Sequence, residues 1–210
     1  MVNGSAQARR ERIMSATVAL IQRDGIAALT TRGIALEAGC AEGTIFRHFG
    51  DKGGLIAAVL SRGLPEIYRL EEVARRAPSE DLAADLTALC TAVLDFYRAS
   101  YPIAASALAD GATFRRYQAA HREAGTGPRQ IWELVSGFLH EASALGLVDP
   151  GRDLDVEAVT LVGACQNAVW VGLVNGDEAL PHGGDDFAGR LARGRARELA
   201  TPPVPARGDG

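Results

Sequence analysis

The chain has 210 residues, of which 47% are hydrophobic, 6% aromatic and 23% charged, with a net charge of −4. That length supports one good core or two small domains, and the composition lacks the polarity of a disordered chain. Three cysteines, at 40, 90 and 165, and four scattered histidines give neither a disulfide framework nor a zinc-ligand spacing, so no metal or other cofactor is implied.

No segment sustains a period-2 alternation, whereas apolar stripes of helical period recur, which predicts an all-α fold. Behind a disordered arm at 1–8, a first helix over 7–24 carries Ile13, Thr17, Leu20 and Ile21 on one face and stops at Gly25. A short second helix starts at Thr30 or Thr31, whose hydroxyls suit free N–H groups, and ends at Ala38-Gly39. A third short helix fits 41–47, and Asp51 caps a fourth. Gly53-Gly54 weakens the start of that helix, and Pro65 predicts a break near Gly63. Further helices are predicted at 66–76, 79–100, 102–122, 128–145, 153–175 and 185–200, followed by a disordered tail at 201–210 rich in Pro and Gly. The longest apolar run, AVWVGLV at 168–174, is too short for a membrane span. The start MVNGSAQARRER has no signal-peptide core, so the sequence predicts a cytoplasmic protein.

The stretch AEGTIFRHFGDK at 41–52 gathers a Thr, an Arg, a His and the only Lys of the chain. It lies in the more basic part: residues 1–54 carry seven Lys/Arg against five Asp/Glu, and the remainder 15 against 21. Residues 30–49 have helix-turn-helix grammar, with Gly39 at the turn and Ile34, Ala38, Ile45 and Phe49 as the apolar contacts between the two helices. In such a unit the second helix enters the major groove and the first crosses the phosphate backbone.

The segment LTTRGIALEAGCAEGTIFRHFGDKGGLIAAV resembles the DNA-binding segment of the TetR family of bacterial repressors. The likeness rests on Thr30-Thr31, Ala38-Gly39, the run Thr44-x-Phe46-x-His48-Phe49, and Lys52 three residues later. The resemblance implies a three-helix DNA-binding domain at 9–56 and a helical effector-binding and dimerisation domain at 57–200. It implies that Thr31, Thr44, His48 and Lys52 meet phosphate, and that Arg32, Glu42, Gly43 and Arg47 reach base edges. Phe46 stands where the family usually has a Tyr that bonds phosphate; it can pack but not donate. Ala41 replaces the usual capping Ser of the recognition helix, and Cys40 a packing Val.

The motif covers about a quarter of the chain, and the resemblance beyond it extends only to helical layout. Over 153–175, Val159, Gly163, Gln166 and Trp170 form one stripe and Leu161, Cys165, Ala168 and Gly172 another, so both faces must be covered. The first is read as lining the interior. The second, with Phe187, Leu191 and Gly194 of the last helix, is read as a dimer interface closing a four-helix bundle. Candidates for a ligand pocket are Phe96, Tyr97, Tyr101, Phe114, Tyr117, His121, Trp132, Phe138, Gln166 and Trp170, with plain core packing as the competing reading of each. The predicted partners are a palindromic double-stranded operator, a small apolar or aromatic effector and a second copy of the chain, with no membrane. The predicted function is a dimeric transcriptional regulator, a repressor released by its effector, and not an enzyme.

Two other readings compete. Glu80, Asp81 and Asp85 faintly resemble the carboxylate spacing of helical metal-diphosphate enzymes, and Asp149, Asp153, Asp155 and Glu157 form a second acidic group. Both groups sit at predicted helix starts, where acids cap and meet the dipole. The third reading is a constitutive DNA-binding protein with no effector.

Overall fold

A computed structural model of the chain describes residues 2–24, 29–109, 111–184 and 186–200. Among these residues the secondary structure is helical: α1 (Val2–Asp24), α2 (Thr31–Glu37), α3 (Glu42–Phe49), α4 (Lys52–Arg62), α5 (Pro65–Ala74), α6 (Leu82–Leu108), α7 (Gly111–Ala124), α8 (Pro128–Ala144), α9 (Leu154–Asn175) and α10 (Phe187–Leu199). Two short 3-10 turns, Asp177–Ala179 and Pro181–Gly184, precede α10, and one isolated bridge joins Val148 to Ala200. The expected arm at 1–8 is instead helical from Val2, because α1 runs on without an interrupting Pro. The tail at 201–210 lies outside the described residues.

The chain divides into two compact units, one of residues 1–69 and 95–130, the other of residues 70–94 and 131–210. The division therefore does not fall at 56/57. Helix α7 packs on α4, which joins residues 95–130 to the N-terminal head, and α6 supplies residues to both units.

In the first unit the head closes over Ile13, Leu29, Ile34, Ile45, Leu55 and Ile56, all fully or almost fully buried. Burying each such side chain contributes about 1.5–3 kcal/mol relative to leaving it in water. Caps set the short helices. Thr30 Oγ1 accepts from Gly33 N at 3.0 Å to start α2, and Asp51 Oδ1 accepts from Gly54 N at 3.0 Å to start α4. Gly39, at φ +61°, makes the turn between α2 and α3. Helix α4 ends at Arg62 and α5 begins on Pro65, a first-turn residue whose missing N–H costs nothing there.

The expected boundary near Tyr101-Pro102 is absent, since α6 runs unbroken from Leu82 to Leu108 with Pro102 inside it. Pro102 removes one helical bond, yet the buried positions Val93, Phe96, Tyr97, Ser100, Ile103 and Ala107 continue on one stripe across it. Continued burial outweighs the single lost bond, and the next helix begins only at Gly111.

In the second unit Val148, Leu154, Leu161, Cys165, Ala168, Ala192 and Leu199 are buried. Asp149 N donates to Leu199 O at 2.9 Å, Arg195 pairs with Glu157, and Cys165 Sγ lies 3.8 Å from the Cys90 carbonyl. By length and composition α9 meets the requirement for a membrane span, which counting uninterrupted apolar residues had not shown. Leu161, Cys165, Ala168 and Val169 nonetheless place one of its faces in the protein core.

The acidic groups have structural partners. Asp81 accepts from Ala84 N at 2.9 Å and Asp85 from Ser79 N at 2.6 Å, both at the start of α6. Asp153 caps α9 through Val156 N at 3.1 Å, Asp155 accepts from Ser136 at 2.5 Å, and Asp149 from Gly151 N at 2.9 Å. Among the described residues no group of three His, Cys, Asp or Glu side chains is placed to hold a metal ion.

Candidate nucleic-acid interface

Helix α3 turns Ile45 and Phe49 into the core and leaves Glu42, Gly43, Phe46 and Arg47 exposed. Gly43, Phe46 and Arg47 fall at i, i+3 and i+4, one helical face. A Cβ at Gly43 would meet nothing within 4 Å, so that face is open to close approach. Arg32 on α2 is exposed as well, while Thr31, Thr44, His48 and Lys52 are half-buried around its margin. Lys52 is the first residue of α4, where the positive helix end adds to its charge.

Side-chain contacts fix this surface. Thr31 Oγ1 donates to a Glu42 carboxylate oxygen, tying the start of α2 to the start of α3. Ala41 makes no side-chain cap at the head of α3, as its sequence implies. At the other end Arg10 donates through Nη1 to the His48 carbonyl at 2.5 Å and lies over the Phe49 ring, 4.3 Å from its centroid. A cation on a C-terminal carbonyl satisfies an acceptor that the helix leaves open. Burial, then the charges of Arg47, Arg9 and Arg10, push the His48 pKa down, so its imidazole is neutral at pH 7. His48 Nε2 is covered and lacks a hydrogen-bond partner.

Helix α4 is held from behind by α7. A Cβ on Gly53 would stand 2.8 Å from the Thr113 carbonyl oxygen and 2.9 Å from Tyr117 N. On Gly54 it would run into the Phe49 carbonyl. The two glycines are close-approach positions, which offsets the helix propensity they forfeit.

A family model described as "Bacterial regulatory proteins, tetR family" matches residues 13–59, which span α1 to α4 and include every candidate DNA contact. Residues 13–59 thus match the DNA-binding domain of the TetR family of bacterial regulatory proteins. The chain is 30% identical over 100 residues to the HTH-type transcriptional regulator BetI of Paraburkholderia phytofirmans, a match covering 48% of this chain and 51% of that protein. The chain thus spans about half the length of the curated relatives it matches. Among solved structures it is similar to a putative TetR-family transcriptional regulator from Mesorhizobium loti, with a TM-score of 0.67, 16% identity and coverage of 93% and 98% of the two chains. It is similar as well to the transcriptional regulator FadR from Bacillus subtilis in complex with stearoyl-CoA, at TM-score 0.58, 17% identity and coverage of 90% and 97%. These two likenesses establish the TetR fold over nearly the whole chain.

The pocket candidates divide between the two units of the chain. Phe96, Tyr97, Tyr101, Phe114, Tyr117 and His121 belong to the first unit, and Trp132, Phe138, Gln166 and Trp170 to the second. Phe96, Tyr97 and Tyr101 touch in series at 5.4 and 5.6 Å between ring centroids. Phe114, Tyr117 and His121 do so at 6.2 and 4.5 Å. His121 is buried, its Nδ1 lies 2.9 Å from Thr126 Oγ1, and burial pushes its pKa down. Thr126 Oγ1 in turn accepts from Ser61 of α4 at 3.0 Å.

The two faces of α9 are exchanged relative to the sequence expectation. Leu161, Cys165 and Ala168, read as an interface, are at most 3% exposed and pack inside the protomer. Gly172 beside them is half-buried. Val159 and Trp170, read as interior, are 50% and 57% exposed, and Gly163 lies between them on the same open face. Both stripes are apolar, so composition cannot say which one the core takes. On α10, Phe187 and Leu191 are half-buried and Gly194 is exposed.

Arg10 and the fit of Gly53 against α7 escaped the sequence reading. Arg10 sits in an Arg-rich start that resembles a solvated helix face, and nothing local shows that it meets Phe49, 39 positions later. The contact requires the fold.

Proposed function

We propose that this TetR-family regulator is a cytoplasmic, homodimeric repressor that grips a palindromic operator with two copies of α3 and lets go when a small molecule binds. The observation that carries the DNA-binding part is the α3 face itself: Gly43, Phe46 and Arg47 open outward, with Thr31, Thr44, His48 and Lys52 at the margin. Arg47 and Arg32 supply donors suited to guanine, and Lys52 and the threonines position the protein on phosphates. His48 is a neutral donor in this scheme. Glu42 holds Thr31, which favours a positioning role over the base contact that its place in the motif implies.

For the dimer, the outer stripe of α9 replaces the inner one. Val156, Val159, Gly163, Trp170 and Leu173 leave a long apolar face in solvent, which monomeric proteins seldom tolerate. Small Gly163 in its middle allows two helices to approach closely, and Phe187, Leu191 and Gly194 of α10 extend the surface. Trp170 therefore changes role, from pocket wall to partner contact.

An effector finds support in the fold neighbour whose structure holds stearoyl-CoA. In this chain the rows Tyr97-Tyr101 and Phe114-Tyr117-His121 offer aromatic walls with few polar groups, which suits an apolar or aromatic molecule. Such a ligand releases DNA only by preferring the DNA-incompetent arrangement. The test is a gel-shift titration with duplexes selected from a random library. Enrichment of a palindrome bound by two protomers supports the proposal, and no enrichment refutes it.

A further inference from the structure

We propose that a cavity in the first unit, bounded by α1, the start of α5 and the middle of α6, binds an amphipathic amine. The cavity has a volume of about 480 Å³, within the range of small-molecule sites. Val18 and Ile21 of α1, Leu64, and Pro102 and Ile103 of α6 line it with apolar surface, and Glu66, Arg69, Asp95 and Arg98 add charge. None of the aromatic candidates named above lines it.

One acceptor at this cavity lacks a donor, and a second has lost its regular one. Glu66 Oε2 is buried and has no hydrogen-bond partner among the described residues. A buried carboxylate oxygen without a donor is rare, because it forfeits water and receives nothing in return. The second acceptor is the Arg98 carbonyl. In an uninterrupted helix it would receive the N–H four residues on, but that residue is Pro102, which has none. Glu66 thus leaves an open acceptor at the cavity, and Pro102, on another helix, deprives the Arg98 carbonyl of its regular helical donor.

The cations present do not answer this need. Arg69 Nη1 and Arg98 Nη1 both turn to Asp95, at 3.7 and 3.5 Å. Their side chains are 66% and 55% exposed, so water screens their charge. A primary ammonium on an apolar body matches the site: its N–H groups serve Glu66 and the Arg98 carbonyl, while the body packs on Val18, Ile21 and Ile103. A carboxylate would face Glu66 without a donor to offer. Bound there, the amine touches α1 of the DNA-binding head and α6 together; its effect on operator binding rests on the function proposed above, whereas the binding itself does not.

The test uses the full chain and calorimetric titration with 4-phenylbutylamine, with 4-phenylbutyrate as the anionic counterpart and no DNA present. The expected result is saturable one-site binding of the amine, about tenfold or more tighter than the anion. Glu66→Gln is expected to weaken it about tenfold, and Pro102→Ala, which returns an N–H to the Arg98 carbonyl, to weaken it severalfold with the helix intact. Ala99→Leu, which fills the cavity from α6, is expected to abolish it. Absence of saturable amine binding, equal binding of the anion, or unchanged amine affinity in both Glu66→Gln and Ala99→Leu would overturn the assignment. If the amine binds but operator affinity stays the same, the site stands and only its regulatory coupling falls.

Discussion

Arg116 Nη1 lies 3.1 Å from Oδ2 of Asp51, while Oδ1 of the same carboxylate accepts the Gly54 N–H that starts α4. One carboxyl group therefore caps the helix behind the recognition element and fastens it to α7. Lys52, the proposed phosphate contact, is the next residue, so one side chain ties α7 to the margin of the proposed DNA-binding surface.

The two functions of Asp51 can be separated. Asp51→Asn keeps the cap and loses the ion pair, which at an exposed Arg is worth about 0.2–1 kcal/mol. Asp51→Ala also loses the cap, a further 0.5–2 kcal/mol or about that range. Thermal melts should rank wild type above Asn and Asn above Ala. Equal melting of the Asn and Ala variants would show that the cap contributes nothing.

Gly53→Ala places a methyl group against the Thr113 carbonyl and Tyr117 N, where backbone cannot yield. Overpacking of this kind costs about 1–3 kcal/mol, against about 1 kcal/mol gained in helix propensity. The variant should melt lower than wild type. A higher melting temperature would mean that α7 moves aside readily and does not grip α4.

The histidines set a pH dependence. Burial lowers the pKa of His121, and burial with nearby arginines lowers that of His48, below the ordinary value of about 6.5. Between the folded and unfolded values the unfolded chain binds more protons, so stability is full above about pH 6.5 and falls as pH drops through the folded values. Melts between about pH 7.5 and 5.5 should show the loss, and His121→Gln should flatten it. A stability that rises on acidification would contradict the burial of both rings.

The corrected faces of α9 make opposite demands on two substitutions. Trp170→Glu alters a half-exposed side chain and should give folded monomers by sedimentation. Ala168→Arg, at a position 3% exposed, should unfold the protomer itself. Folded monomers from Ala168→Arg would restore the inner stripe as the interface.

The head was legible in sequence because its determinants are local. Thr30 and Asp51 cap the residues that lie three positions ahead of them, and Gly39 makes a turn that no distant contact decides. Where the outcome depended on tertiary packing, sequence was silent or misleading. Pro102 reads as a break, yet the buried stripe from Val93 to Ala107 carries α6 past it. Gly53 and Gly54 read as weak points until Thr113 and Phe49 are seen to need their missing side chains. On α9, periodicity found both stripes, but only packing against the rest of the second unit selects Leu161, Cys165 and Ala168 for the interior.

The central claim is that paired α3 helices read DNA, and Lys52 and Arg47 test it together in salt-dependent fluorescence anisotropy on the selected duplex. Lys52→Ala should weaken binding to every sequence and reduce the salt slope by about one per protomer, whereas Arg47→Ala should relax discrimination at one base position in each half-site at a cost of about 1–3 kcal/mol. Unchanged affinity, salt slope and sequence preference in both variants would contradict the account.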